Sequence, residues 1–135
     1  MALLTWNQTC STGVRAMDDQ HGILLDVMNE LRLAQLHGSD REQVDKLLEQ
    51  LVEFTRMHLW SEERLLELNE FPGLVEHRAE HRSLLSQMQE SARRAQHSEG
   101  VQMRCFLRFL CDGFQEHMEG MDMEYGPWLN ERGIF

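Results

Sequence analysis

The chain has 135 residues, 41% of them hydrophobic, and its 13 Lys and Arg against 23 Asp and Glu give a formal charge of -10. A chain of this length fits one domain with a core of its own, and aliphatic and Met positions recurring at helical spacing argue against a disordered chain. So large an acidic excess argues against nucleic acid or an anionic membrane as partner, since either needs a concentrated basic surface.

No apolar run approaches the roughly 20 residues that a membrane span requires. Cys10, Cys105 and Cys111 lack C-x-x-C spacing and follow no charged-then-apolar leader, a pattern that leads us to expect a cytoplasmic protein. All three read as small packed side chains rather than ligands.

Residues 1–17, with Trp6 and Gly13, show no period and read as an ordered arm. From Asp18 an apolar stripe of Ile23, Leu24, Val27, Met28, Leu31 and Ala34 predicts a first helix over about 18–37, closed by a glycine C-cap at Gly38. Ser39 or Asp40 is then the N-cap of a second helix over about 40–69, whose stripe runs through Val44, Leu47, Leu48, Leu51, Phe54, Met57, Leu65 and Leu66. Phe71-Pro72-Gly73 reads as a turn, with Pro72 at the first position of a third helix over 72–97, and Ser98-Glu99-Gly100 as a break.

A fourth helix over 101–121 carries Cys105, Phe106, Phe109, Leu110 and Phe114. Tyr125-Gly126-Pro127 then reads as a turn in a short tail over 122–135. Four long amphipathic segments with short connections predict an all-α, antiparallel up-down four-helix bundle, with an N-terminal arm and a C-terminal tail, as a single domain over 1–135.

Five of the seven histidines fall on or beside the apolar stripes: His21, His58, His77, His81 and His117. His58 and Glu62 are four apart, as are His77 and His81, so each pair shares a helix face. His117 and Asp122 are five apart, which in a regular helix turns the second side chain about 140° from the first. A π-type widening near Gly120 is expected to bring them together.

One core histidine alone is usually a packing residue. Five imidazoles and two carboxylates at one level of a small core, however, would cost several kcal/mol per unpaired charge unless a metal held them. His37 and His97, beside predicted helix C-termini, read as dipole partners. Met118, Met121 and Met123 read as packing, as do Trp6, Trp60 and Trp128.

Together, Trp6, Asp19-Gln20-His21, His58-x-x-x-Glu62, His77-x-x-x-His81 and His117-x-x-x-x-Asp122 followed by Tyr125 resemble the hemerythrin family, in particular its single-domain bacterial members, over essentially the whole chain. The resemblance implies two non-heme iron ions bridged by Glu62, Asp122 and an oxygen atom. By the same resemblance His77, His81 and His117 hold one iron, and His21 and His58 hold the other, whose vacant position takes O2. Five neutral nitrogens and two anions suit carrying oxygen better than cleaving it. Ferritin-like di-iron enzymes use four carboxylates and paired E-x-x-H motifs, and this sequence has no E-x-x-H.

The expected function is therefore oxygen transport, storage or delivery to an oxygen-consuming enzyme, and not catalysis. An oxygen or redox sensor acting on a non-covalent partner is the alternative, and a di-iron oxidase or a peroxide- or NO-handling enzyme a weaker one. Where relatives commonly carry a Trp-Leu pair this chain has Gly113 and Phe114, and where many have Phe it has Leu59. These three are the expected O2-pocket residues, and loss of the indole implies easier access for water.

Overall fold

The computed structural model describes residues 11–38, 40–96, 101–120 and 122–135. It is helical throughout, with α1 at Arg15–Leu36, α2 at Arg41–Leu68, α3 at Leu74–Gln96, α4 at Val101–Phe109, α5 at Gln115–Glu119 and α6 at Asp122–Asn130. A π-helical stretch, Leu110–Phe114, joins α4 to α5 so that the three run as one rod. Short connections reverse the chain between rods, and α1 packs on α2, α2 on α3 and α3 on α4. Of the residues given a role above, Trp6, Cys10, Ser39, His97, the break over 98–100, Met121 and the side chain of Cys111 lie outside the described residues.

The helix ends follow local chemistry. Ser11 Oγ, Thr12 N and Thr12 Oγ1 all donate to the Asp18 carboxylate, at 2.8, 2.7 and 2.9 Å, which folds the segment before α1 back on its first turn. Gly38, at φ 65°, supplies the left-handed residue after α1. Asp40 caps α2 by accepting from Gln43 N at 2.9 Å. At the other end of α2, Phe71 N returns to Leu66 O at 2.9 Å with Glu70 in the left-handed region. Pro72 lies in this turn and α3 starts two residues later than expected, at Leu74.

The last part of the chain differs most from expectation. Tyr125-Gly126-Pro127 is not a turn but the middle of α6. Pro127 costs this helix one backbone hydrogen bond, while Gly126 lets it lie against the arm: a Cβ there would sit 1.7 Å from Thr12 O. Asn130 Nδ2 donates to Gly13 O at 3.1 Å across the same contact.

Two apolar clusters result. The larger runs along the bundle from Leu24, Met28 and Leu31 through Leu48 and Leu51 to Met88, Phe106 and Phe114. The smaller, Val14, Met17, Leu66, Phe71, Tyr125 and Leu129, closes one end. Cys105, expected to pack, is exposed; Ile23 and Met57, expected in the stripes, are each 46% exposed. No described helix is long and apolar enough to cross a membrane.

Because the backbone carbonyl of Thr12 cannot yield as a side-chain tip can, Gly126→Ala should lower stability by about 1–3 kcal/mol in urea unfolding. An unchanged midpoint would contradict the close approach.

Candidate metal centre

Each rod sends side chains to one level of the bundle, next to the smaller cluster. His21 lies in the second turn of α1, His58 and Glu62 one turn apart late in α2, His77 and His81 one turn apart at the start of α3, and His117 in α5. Asp122 opens α6. All seven have at most 2% of their surface exposed.

The five-residue interval between His117 and Asp122 is not spanned by a π turn at Gly120, as the sequence suggested. Gly120, at φ -103° and ψ -91°, ends α5, and Asp122 starts a new helix. A Cβ at Gly120 would stand 3.0 Å from Glu116 O, so the break favours glycine. The π stretch lies upstream instead, at Leu110–Phe114.

The two carboxylates divide the site. Glu62 Oε1 lies 2.6 Å from His77 Nε2 and 3.0 Å from His81 Nε2, and Asp122 Oδ1 lies 2.9 Å from His117 Nε2 and 3.1 Å from His77 Nε2. Their second oxygens face the other way. Asp122 Oδ2 is 3.2 Å from His21 Nε2, and Glu62 Oε2 is 3.8 Å from His21 Nε2 and 3.6 Å from His58 Nε2. Two metal-sized groups of ligand atoms therefore form, Glu62, His77, His81, His117 and Asp122 on one side and His21, His58, Glu62 and Asp122 on the other, each with its atoms within 4.8 Å of one another.

The imidazoles are held from behind. The Nδ1 atoms of His58, His81 and His117 lie 2.6 Å from Gln20 Oε1, 2.9 Å from Glu63 Oε2 and 2.7 Å from Glu80 Oε1. A hydrogen on Nδ1 that donates outward leaves the Nε2 lone pair pointing into the site, the usual support of a metal-binding histidine. Tyr125 OH donates to Glu62 Oε2 at 2.8 Å. Burial, with Glu62 and Asp122 nearby, pushes the Tyr125 phenol well above its ordinary range, so it stays a donor.

The electrostatics are those of crowded charge. Burial opposes the charged form of His77 and His117, but contact with Asp122 and, for His77, with Glu62 outweighs it and raises both to about 9. His58 moves the opposite way, to about 4, because burial and the neighbouring His21 outweigh the pull of Glu62. For Asp122, burial pushes upward, yet the imidazoles of His117, His21 and His77 hold it well below the usual carboxylate range.

This donor set fits a pair of cations better than it fits itself. His21 Nε2 and His58 Nε2 stand only 3.0 Å apart. His81 Nε2 and His117 Nε2 meet carboxylate oxygens of Glu62 and Asp122 at 3.0 and 2.9 Å, and Asp122 Oδ2 meets His21 Nε2 at 3.2 Å, without good hydrogen-bond geometry, a costly state for polar atoms in a core. Nitrogen and carboxylate ligands together suit iron.

A family model described as the hemerythrin HHE cation binding domain matches residues 12–129. The chain belongs to the hemerythrin family. Oxygen binding at a non-heme di-iron centre is what that membership brings. The bacteriohemerythrin of Methylococcus capsulatus is 30% identical over 131 residues, covering 96% of this chain and 99% of that one. That of Stenotrophomonas maltophilia is 29% identical, covering 93% and 80%. A crystal structure of wild-type hemerythrin superposes with a TM-score of 0.82 at 30% identity, covering 93% of this chain and 97% of that one, and a leucine-to-tyrosine hemerythrin mutant also gives 0.82.

Of the expected pocket residues, Leu59 is buried and lines a groove beside His81. Phe114 is buried with its ring 6.1 Å from that of His117. Gly113 is half-buried in the π stretch, where a Cβ would touch only the Phe109 ring, at 3.5 Å. Sequence reasoning gave no role to Glu63 and Glu80. Their only signal was position, each adjoining a candidate ligand in the chain.

His77 and His117, at about 9, carry protons near pH 7.5, and a metal ion must displace them. Loading with ferrous iron should therefore release about two protons per chain at that pH and fewer as pH rises through 9, measured by anaerobic calorimetry in buffers of different ionisation enthalpy. His58, already neutral, adds none. In the metal-free chain the same two raised groups contribute stability that is complete below the unfolded value of 6.5 and lost as pH rises through about 9. Heats independent of buffer near pH 7.5 would contradict this protonation state.

Proposed function

We propose that this chain binds molecular oxygen reversibly at a non-heme di-iron centre and serves oxygen transport, storage or delivery to an oxygen-consuming enzyme, without catalytic turnover. The observation that carries the reading is the division of the site: Glu62 and Asp122 each present one oxygen to the side with three histidines and the other to the side with two. In this reading His77, His81 and His117 would hold one iron and His21 and His58 the other, with Glu62 and Asp122 offering an oxygen to each. Bound there, an iron pair would supply the electrons for reversible association of oxygen.

The side with only two histidines has one protein ligand fewer, and that difference makes room for a small ligand. Tyr125 keeps its hydroxyl on Glu62 Oε2, the oxygen that faces His21 and His58, and so fixes the carboxylate on the open side. Gln20, Glu63 and Glu80 hold their imidazoles in one tautomer. Burial of all seven ligands at 2% exposure or less keeps water and bulk acid from them. Leu59, Gly113 and Phe114 form the pocket wall in this reading, with Leu59 and Phe114 buried and Gly113 half-buried.

Anaerobic reconstitution with ferrous iron, followed by cycles of oxygen and argon under visible absorption, tests the proposal. A band that appears with oxygen and disappears with argon over repeated cycles is expected; irreversible bleaching in the first cycle, or sustained oxygen consumption, would overturn it. Gly113→Trp, at a position where a Cβ meets the Phe109 ring at ordinary contact distance, should slow spontaneous loss of oxygen binding. An unchanged or faster loss would remove Gly113 from the pocket wall.

A further inference from the structure

The sequence pattern puts Ile23 and Val27 of α1 and Phe54 and Met57 of α2 in the core stripes, but the fold leaves Ile23 and Met57 each 46% exposed and Val27 and Phe54 half-buried. They are not scattered. Val27, Phe54 and Met57 line, with Gln50 and Glu53, a groove of about 490 Å³ between α1 and α2. Ile23, one turn before Val27, lines a second depression together with Asp18, Asp19 and Asp26. The result is an apolar strip continued at one end by carboxylates. Asp19 and Asp26 are exposed, and Glu53 is paired loosely with Arg56, at 3.8 Å.

We propose that this α1–α2 face is the docking site for a cationic amphipathic helix of a partner protein, its apolar ridge seated along Ile23, Val27, Phe54 and Met57 and its Lys or Arg residues over Asp19, Asp26 and Glu53. Charge decides between the occupants. A second copy of this chain, carrying a formal charge of -10 itself, would bring a strongly acidic surface up to these carboxylates. A basic helix meets them with opposite sign and fills the groove in the manner of other helix-in-groove complexes. The face is also coupled to the candidate metal centre by the chain itself, since Ile23 follows closely on His21 in α1 and Met57 immediately precedes His58 in α2. That coupling rests on the proposed function; the docking does not.

The test is fluorescence anisotropy of a labelled amphipathic leucine/lysine peptide of about 18 residues, long enough to cross the groove, with a leucine/glutamate peptide of the same pattern for comparison. The full chain is used, with and without added ferrous iron. The lysine peptide is expected to bind, the glutamate peptide not. Met57→Glu should weaken binding at least tenfold, and the charge reversal Asp26→Lys, on an exposed position that leaves packing intact, at least threefold. Val75→Glu, at a 77% exposed residue of α3, should leave it unchanged.

Equal binding of both peptides would overturn the proposal. So would equal loss in Val75→Glu and Met57→Glu, or no loss in Asp26→Lys with native circular dichroism. A wild-type dimer in light scattering that Met57→Glu dissolves would assign the face to a second copy instead. Failure of the wild-type chain to take up the added ferrous iron, with lysine-peptide binding retained, would sink the proposed function and leave the docking site standing.

Discussion

Burying ionisable groups is costly, and this small bundle buries seven of them at one level. An isolated imidazolium or carboxylate in a core costs several kcal/mol, and partnering it with another side chain recovers only part. Here the partnering is imperfect, with two imidazole nitrogens 3.0 Å apart and close nitrogen–carboxylate contacts that lack good hydrogen-bond geometry. Cations between the two halves of the cluster would meet the Nε2 atoms of His21, His58, His81 and His117 and both oxygens of Asp122 together. The rest of the structure is organised by that requirement.

The smaller apolar cluster is the clearest case. Val14, Met17, Leu66, Phe71, Tyr125 and Leu129 come from the arm, α1, α2, the turn before α3, and α6, and they close the end of the bundle nearest the ligands. Tyr125 serves both layers, since its ring packs in that cluster while its hydroxyl reaches Glu62. The Asp18 clamp on Ser11 and Thr12, and the close approach of Gly126 to Thr12, hold the lid in place. Burial of the candidate ligands and the placement of Glu62 thus depend on the same few contacts at the arm and α6.

Much of this was legible in the sequence because it is periodic. Spacings of four in His58–Glu62 and His77–His81 place candidate ligands on shared faces by helix geometry alone, and the stripes located α1, α2 and α3 to within a few residues. What escaped was aperiodic. The Gly126-Pro127 pair carries the composition of a turn, yet its helical conformation is decided by contact with Thr12, far away in the chain. The interval from His117 to Asp122 signals an irregularity without locating it, and both a π stretch before His117 and a break at Gly120 are present. Glu63 and Glu80 look like ordinary surface acids until the rods are assembled. The stripes also overstated the core, because an apolar residue at helical spacing, such as Ile23, can face a groove as readily as a neighbour.

The central claim is that Glu62 and Asp122 are shared between two metal positions, and metal stoichiometry tests it most directly. Ferrous iron titrated anaerobically into the metal-free chain, with bound metal counted after desalting, should reach two ions per chain, and Glu62→Ala should lose affinity for both rather than for one. Saturation at one ion or none in the wild-type chain, or a Glu62→Ala chain that retains one ion at undiminished affinity, would contradict the account.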